Sequence, residues 1–385
     1  MVAPPATLSP STSTDRVSVI TPCYQQGELL ADAIESVRAQ THPHWEMIVV
    51  NDGSTDRTSS VVRGYSARQP QRVLLLEQPN RGQARARQAA LRRATGDYLV
   101  LLDADDLLEP EMMRVCLREL KQRPEAAAVA ADAWMVGPDG RRHLRLFHQH
   151  RSRPWPDVLE GNPHGALAGL MFRTPIVRAL GGLGLEGTPG CEDWDLIVRL
   201  ARAGCPVASV PRRLARYRQT PQSYHHKAGV MLRAELELLE RAARQDPRLQ
   251  GCPRVKAPIP PHEHLRLRQI RVMNALGRAL ADRASGRVLG RIGAHVEGQL
   301  VQPECCARTF RYAMQSGASG CGESTRKLFA NPEALLETLQ RCFEKAGRAE
   351  AWSCLQPHLV RELAIARKQA ALSRRAVAWL LGRWR

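Results

Sequence analysis

Short apolar runs and amphipathic segments alternate along residues 16–110. Val17 to Thr21 predicts a strand. After a turn holding Pro22 and Gly27, Leu30, Ala33, Ile34 and Val37 recur on one helical face. Glu46 to Val50 predicts a second strand and Asp56 a cap for the helix after it. Val73 to Glu77 predicts a third strand, leading through a loop with Gly82 into a basic helix, and Tyr98 to Leu102 a fourth. The order βαβαβαβ favours a parallel sheet covered by helices. In such sheets ligands collect beyond the carboxyl ends of the strands. Thr21, Asp52, Asn80 and Asp103 fall at those four ends.

The fourth run ends in Asp103, Asp105 and Asp106. On an extended chain, carboxylates at i and i+2 point the same way, so Asp103 and Asp105 face one site while Ala104 turns inward. Hard oxygen ligands of this kind suit Mg²⁺ or Mn²⁺ carrying a diphosphate. An acidic loop that merely caps the next helix is the plainer alternative. The first strand is not followed by G-x-G-x-x-G, and G-x-x-x-x-G-K-[ST] occurs nowhere, so a metal has to take the place of a phosphate-cradling loop.

Farther on, TPGCEDWDLIVRLARAG (residues 188–204) runs from a Gly/Pro loop into Glu192 and Asp193, followed by an amphipathic helix with Trp194, Ile197, Val198 and Leu200. Acids at a helix N-terminus are stabilised as anions, which predicts a low pKa and readiness to accept a proton. Plain helix capping is the alternative when this stretch is read alone.

Four ordered segments, VSVITPCYQQGELLADAIESVRAQT, VVNDGSTD, NRGQARARQAALRRATGDYLVLLDADD and CEDWDLIVRLARAG, resemble the family 2 glycosyltransferases over about residues 16–224. The resemblance implies a GT-A fold, a Rossmann-like mixed sheet flanked by helices. It implies that Thr21, Pro22 and Tyr24 line the nucleotide, that Asp52 hydrogen-bonds the base, and that Arg81 and Arg87 lie near the nucleotide as cations. It also implies that Asp103 contacts the ribose or the metal and that Asp105 is the main ligand of Mg²⁺ or Mn²⁺. For both arginines helix-surface charge stands as an equal alternative. Gln88 departs from the family, which often has Asn there.

By the same resemblance Asp193 is the general base at the acceptor side and Glu192 a positioning or acceptor-binding group. The implied reaction is a single inverting displacement, hexosyltransferase in type. It moves a sugar from a nucleotide-diphospho-sugar, a UDP-sugar being favoured, to a glycan or lipid-linked acceptor hydroxyl in cell-surface polysaccharide synthesis. Tyr217-Arg218 matches the family's YR. Gln219 stands where His is frequent, leaving His225 or His226 as substitutes, against a plain surface pair. Trp134, Trp155 and His164 are acceptor-contact candidates, although aromatics near strands more often belong to a core.

The charge is uneven. Residues 1–224 carry 28 basic and 24 acidic side chains, net +4, and residues 225–385 carry 28 and 14, net +14, together the full +18. The expected organisation is a disordered leader (1–15), a catalytic domain (16–224) and a basic, mainly helical region (225–385) with a Pro-rich break at Pro253 to Pro261. In the tail, six basic residues from Arg367 onward accompany Val377, Leu380, Leu381 and Trp384 on one helical face. That pattern suits an anionic membrane surface or an ordinary packed terminal helix.

Nucleic acid is not an expected partner, because aromatics make up only 5% of the chain and no recognised binding module is present. The ten cysteines form no regular framework and the N-terminus lacks the apolar core of a signal peptide, so free thiols and a cytoplasmic setting, at most peripheral to the membrane, are expected. No apolar run reaches the roughly 18 residues needed to span a bilayer. Two other classes fit parts of the pattern. One is a non-catalytic nucleotide-sugar-binding module that recruits partners through its basic helices. The other is a nucleotidyltransferase, which needs a Gly-rich phosphate loop that TPCYQQGELL does not supply.

Overall fold

The computed structural model describes residues 15–137, 142–147, 153–163, 167–183, 190–218, 228–281, 286–296, 300–316 and 332–382. The chain divides into two units. The first comprises residues up to 220 together with Arg244–Pro258, and the second comprises residues 221–243 and everything from Ile259 onward. Placing Arg244–Pro258 with the first unit departs from the sequence expectation of a single break near residue 224.

In the first unit, β1 (Val17–Cys23) is buried at every residue, as expected for a strand covered on both faces. It pairs in parallel with β2 (Trp45–Asp52) on one side and β4 (Tyr98–Leu101) on the other, and β3 (Val73–Gln78) lies parallel beside β2. Connecting helices α1 (Gly27–Arg38), α2 (Thr58–Arg68) and α3 (Gln83–Arg93) complete the expected βαβαβαβ half. The register pairs Cys23 with Asn51 and Asp52 with Gln78, and the Leu102 amide donates to the Ile20 carbonyl at 3.0 Å. The first four strands therefore end together.

Beyond β4 the sheet turns mixed. β5 (Leu107–Leu108), α4 (Met112–Gln122), β6 (Ala128–Val136), β7 (Arg142–Phe147), β8 (Leu170–Arg173), α5 (Thr174–Ala179), α6 (Glu192–Arg202) and β9 (Val207–Arg218) follow in sequence. The strand order is β3-β2-β1-β4-β8-β6-β9-β5, with β7 paired to β6. β8 runs antiparallel to both β4 and β6, whereas β9 runs parallel to β6 and antiparallel to β5. Sequence periodicity revealed neither β5, which is two residues long, nor β9, whose apolar positions are interrupted by Arg212, Arg213, Arg216 and Arg218.

Two glycines fix the loops above this edge. A Cβ on Gly27 would lie 2.7 Å from the Thr58 amide nitrogen, so only glycine lets α1 start against α2. Gly53 has φ +78° and packs against the Asn80 backbone. Asp56 serves both helices: its Oδ1 accepts from the Thr58 amide at 3.0 Å and its Oδ2 from the Gly27 amide at 2.8 Å.

The second unit is helical: α7 (Ala228–Ala242), α8 (Pro261–Ala281), α9 (Gly286–Gly293), α10 (Pro303–Ser316), α11 (Pro332–Lys345) and α12 (Ala349–Gly382). Its core gathers Leu232, Met273, Leu276, Phe310, Leu339, Phe343 and Leu355, as the helical spacing of those segments predicts. Among the described residues no helix is long and apolar enough to cross a membrane. The tail side chains proposed to face a membrane lie outside the described residues, as do His164, His225 and His226.

Candidate active site

The acidic run after β4 is a turn rather than an extended chain, closed by the Asp106 amide donating to the Asp103 carbonyl at 3.0 Å. The turn still sorts the side chains. Asp103 and Asp105 are partly exposed, whereas Ala104 and Asp106 are buried. Burial and the neighbouring Asp103 carboxylate push the Asp105 carboxyl up to about 6, against the opposing pull of Arg218 and a hydrogen bond with Gln26. Asp106 is driven well above the usual carboxylate range by burial, then by Asp105 and Asp103. Its Oδ1 accepts the Arg218 amide at 3.0 Å, tying the acid turn to the end of β9.

Crowded carboxylates of this kind favour a cation. Arg87 supplies one, being 3% exposed with a guanidinium nitrogen 2.5 Å from Asp103 Oδ1, and Gln83 donates to the same oxygen at 3.0 Å. Burial opposes the Arg87 charge, but Asp103, Glu192 and Asp193 together outweigh it and raise its pKa. Among the described residues no group of three or more His, Cys, Asp or Glu side chains could hold a metal. The acid turn offers two partly exposed carboxylates, Asp105 and Asp103. That donor set fits a hard divalent ion completed by phosphate and water, the usual manner of Mg²⁺.

The remaining residues expected to line the nucleotide divide by exposure. Thr21 and Pro22 are buried, and the Thr21 hydroxyl has no hydrogen-bond partner among the described residues. Tyr24 is 49% exposed. The buried Asp52 carboxylate holds the loop after β3. Its Oδ1 accepts from Gln78 Nε2 at 2.7 Å and the Arg81 amide at 2.9 Å, and its Oδ2 from the Gly82 amide at 2.8 Å. The Arg81 side chain is exposed, so of the two arginines singled out in the sequence only Arg87 turns inward.

At the N-terminus of α6, Glu192 is buried. One carboxylate oxygen accepts the Gly190 amide at 3.1 Å and the other has no partner among the described residues. Asp193 is partly exposed, and its Oδ2 accepts from Asn162 Nδ2 at 2.9 Å. The expectation of a low pKa at this helix start fails. Burial pushes Asp193 up to about 6, with Glu192 and Asp103 adding to the rise and the Trp194 amide and Arg87 opposing it. The result still suits a base, because a carboxylate near 6 is ionised at neutral pH yet more basic than a free one.

Arg87 is paired with Asp103 and also feels Glu192 and Asp193, so acids from two clusters about ninety residues apart act on one guanidinium. Tyr217 joins them: burial first, then Asp106, Asp103, Asp105 and Asp193, raise its phenol. Sequence reasoning missed Asn162, Gln26 and Gln83, which stand in loops or at a helix start with no periodic signal. Gln88, the departure from the family pattern, accepts the Leu183 amide at 2.7 Å through its side-chain oxygen and so holds the turn after α5.

The two described aromatic candidates each have a partner within the chain. Trp134 lies under Arg213, 4.5 Å from guanidinium carbon to ring centre. Trp155 donates to the Ala257 carbonyl at 3.1 Å. Every described cysteine is a free thiol.

Comparison with known proteins bears on the same region. The family described as Glycosyl transferase family 2 matches residues 18–180. The protein named "Putative teichuronic acid biosynthesis glycosyltransferase TuaG" from Bacillus subtilis is 30% identical over 202 residues, covering 52% of this chain and 78% of its own length. The uncharacterized protein y4gI of Sinorhizobium fredii is 28% identical over 295 residues, 69% of this chain but only 31% of that protein. A chondroitin synthase from Pasteurella multocida matches over 49% of this chain and 19% of its own length at 30% identity. The chain thus spans a third or less of two of these relatives. Residues 1–349 of S. aureus TarS, solved with UDP, align over 89% of this chain and 90% of that one, at 14% identity and a TM-score of 0.52. That is a likeness of fold, and it agrees with the GT-A architecture expected from the sequence.

Proposed function

The chain belongs to glycosyl transferase family 2, and from that membership we propose that it moves a sugar from a nucleotide-diphospho-sugar to an acceptor hydroxyl, with inversion at the anomeric carbon. The observation that carries this reading is Arg87, paired with Asp103 and under the influence of Asp193 and Glu192. A leaving group held by positive charge beside the acid turn and a nucleophile activated at Asp193 would then address one sugar carbon from opposite sides. A UDP-sugar is the favoured donor and a glycan or lipid-linked acceptor the favoured substrate, in line with the polysaccharide names carried by relatives.

In the proposed reaction Asp193 accepts the proton of the acceptor hydroxyl as that oxygen bonds to the anomeric carbon and the bond to the diphosphate oxygen breaks. Asn162 orients the carboxylate by donating to its Oδ2. Arg87 and Arg218 supply positive charge beside the acid turn, where the departing diphosphate would lie. Mg²⁺ or Mn²⁺ held by Asp105 with Asp103 would neutralise charge developing on that group. One displacement needs one base and a stabilised leaving group, unlike a glycosidase with two carboxylates flanking one bond.

The test is a screen of the full chain against UDP-, GDP- and dTDP-sugars with Mn²⁺ or Mg²⁺, following nucleotide release. Release with one nucleotide class, dependent on the divalent ion, is expected. Silence with all three would contradict the reading.

A further inference from the structure

Behind the acid pair lies a second charged cluster that the reaction does not use. Asp195 is 2% exposed and Arg199 1% exposed. Arg199 Nε donates to Asp195 Oδ2 at 2.8 Å, and another of its nitrogens donates to the Gly182 carbonyl at 2.9 Å. Arg248, fifty-three residues farther on, completes the cluster with two donors: Nη1 lies 2.8 Å from Asp195 Oδ2 and Nη2 lies 2.9 Å from Asp195 Oδ1. Asp246 holds the same guanidinium at 2.9 and 2.7 Å. Burial works against the Arg248 charge, yet Asp246 and Asp195 outweigh it and raise its pKa. Buried charges survive only when paired and hydrogen-bonded, so this arrangement commits both stretches of chain to one geometry.

The same returning segment grips the other end of α6. Arg202, the last residue of that helix, donates to the Arg244 carbonyl at 2.7 Å and to the Lys256 carbonyl at 3.1 Å, and its own carbonyl accepts the Lys256 amide at 2.8 Å. Its guanidinium also lies over Trp155, 5.2 Å from the ring centre, and Trp155 donates to the Ala257 carbonyl. Trp155 belongs to the segment that carries Asn162, the partner of Asp193. Arg244–Pro258 therefore holds both elements that meet at Asp193, namely the helix bearing the carboxylate and the loop bearing its hydrogen-bond donor.

We infer that Arg244–Pro258 is a strap belonging to the catalytic unit, and that Arg248, through Asp195, is a positioning residue for Asp193. Asp195 stands two residues after Asp193 in the first turn of α6. Without Arg248, Asp195 Oδ1 loses the donor it has here, and a buried carboxylate oxygen left unpaired draws the turn out of place. Acceptor activation then suffers while the donor side, built on β1 to β4, does not. The catalytic part of this inference rests on Asp193 as the base proposed above. The strap itself does not.

The test compares wild type with Arg248→Met and Arg248→Lys in the full chain, using hydrogen–deuterium exchange, binding of UDP with Mn²⁺ and sugar transfer. In Arg248→Met, exchange over residues 190–196 and 157–163 is expected to quicken by roughly 10-fold, the order for one unsatisfied buried charged oxygen. Transfer is expected to fall about 10- to 100-fold with UDP binding within about twofold, as a misplaced catalytic group predicts. Arg248→Lys, with one ammonium for two oxygens, is expected to fall between the two, and it carries the test alone if Arg248→Met does not fold. Unchanged exchange in both peptides, or a drop in UDP binding equal to the drop in transfer, would overturn the inference. Quickened exchange in a protein whose wild type transfers nothing would keep the strap and sink the transferase reading instead.

Discussion

The acid turn after β4 and the acid pair opening α6 each hold a carboxyl pushed up to about 6, for different reasons. At Asp105 burial is reinforced by the adjacent Asp103 carboxylate, with Arg218 as the nearby counter-charge. Like charges held together at a strand end are a standing demand for a cation, the environment of a metal ligand. At Asp193 carboxylates add to the burial as well, but Glu192 and Asp103 weigh less there than the Trp194 amide and Arg87, which check it, and Asn162 fixes one carboxylate oxygen. A carboxylate tuned toward neutrality, with its opposing partners outweighing its like-charged ones and a neutral donor orienting it, is the environment of a base. Under the proposed function the same perturbation serves two roles, and the balance of partners distinguishes them.

Breaking the donor side should have the largest effect. Asp105→Ala is expected to abolish Mn²⁺-dependent binding of UDP, measured by calorimetry with and without the ion. Retention of metal-dependent binding would place the ion elsewhere. Arg87→Met should blur the distinction between the two regions, since this cation touches Asp103 and favours the charged form of Asp193. Its loss should raise the Asp193 pKa and move the acidic limb of the transfer–pH profile upward, while also weakening binding of UDP. An unmoved limb would separate the two acid clusters.

In wild type, the ionised base is present above its pKa of about 6 and lost as pH falls through it, so transfer at saturating donor should decline below pH 6. A limb near 4 would mean that the surroundings of Asp193 do not raise its pKa. Asn162→Ala should have the smallest effect, a modest upward shift of that limb with UDP binding unchanged, because a carboxylate that loses a hydrogen-bond donor holds its proton more tightly.

Much of this arrangement is legible in the sequence because local patterns carry it. Apolar runs ending in Thr21, Asp52 and Asp103 mark strand ends, and β1 to β4 follow those runs closely. Acids heading a helical repeat mark the start of α6. What escapes is set by pairing across long stretches of chain. Asn162 meets Asp193 from thirty-one residues away and Arg248 meets Asp195 from fifty-three, and neither carries a periodic or spacing signal. The arginine-rich β9 is a strand because it inserts beside β6 in parallel register, which its own composition conceals. The rise of the Asp193 pKa was hidden for a related reason: the helix terminus is visible in the sequence, but the burial and the facing carboxylates that outweigh it are not.

The most direct measurement is UDP binding and sugar transfer side by side in Asp193→Asn, which keeps the shape of the site and removes the base. Binding within about twofold of wild type with transfer reduced about 10²- to 10⁴-fold is the expected result. Transfer at the wild-type rate would contradict the assignment of the base and, with it, the claim that the two acid clusters serve one displacement.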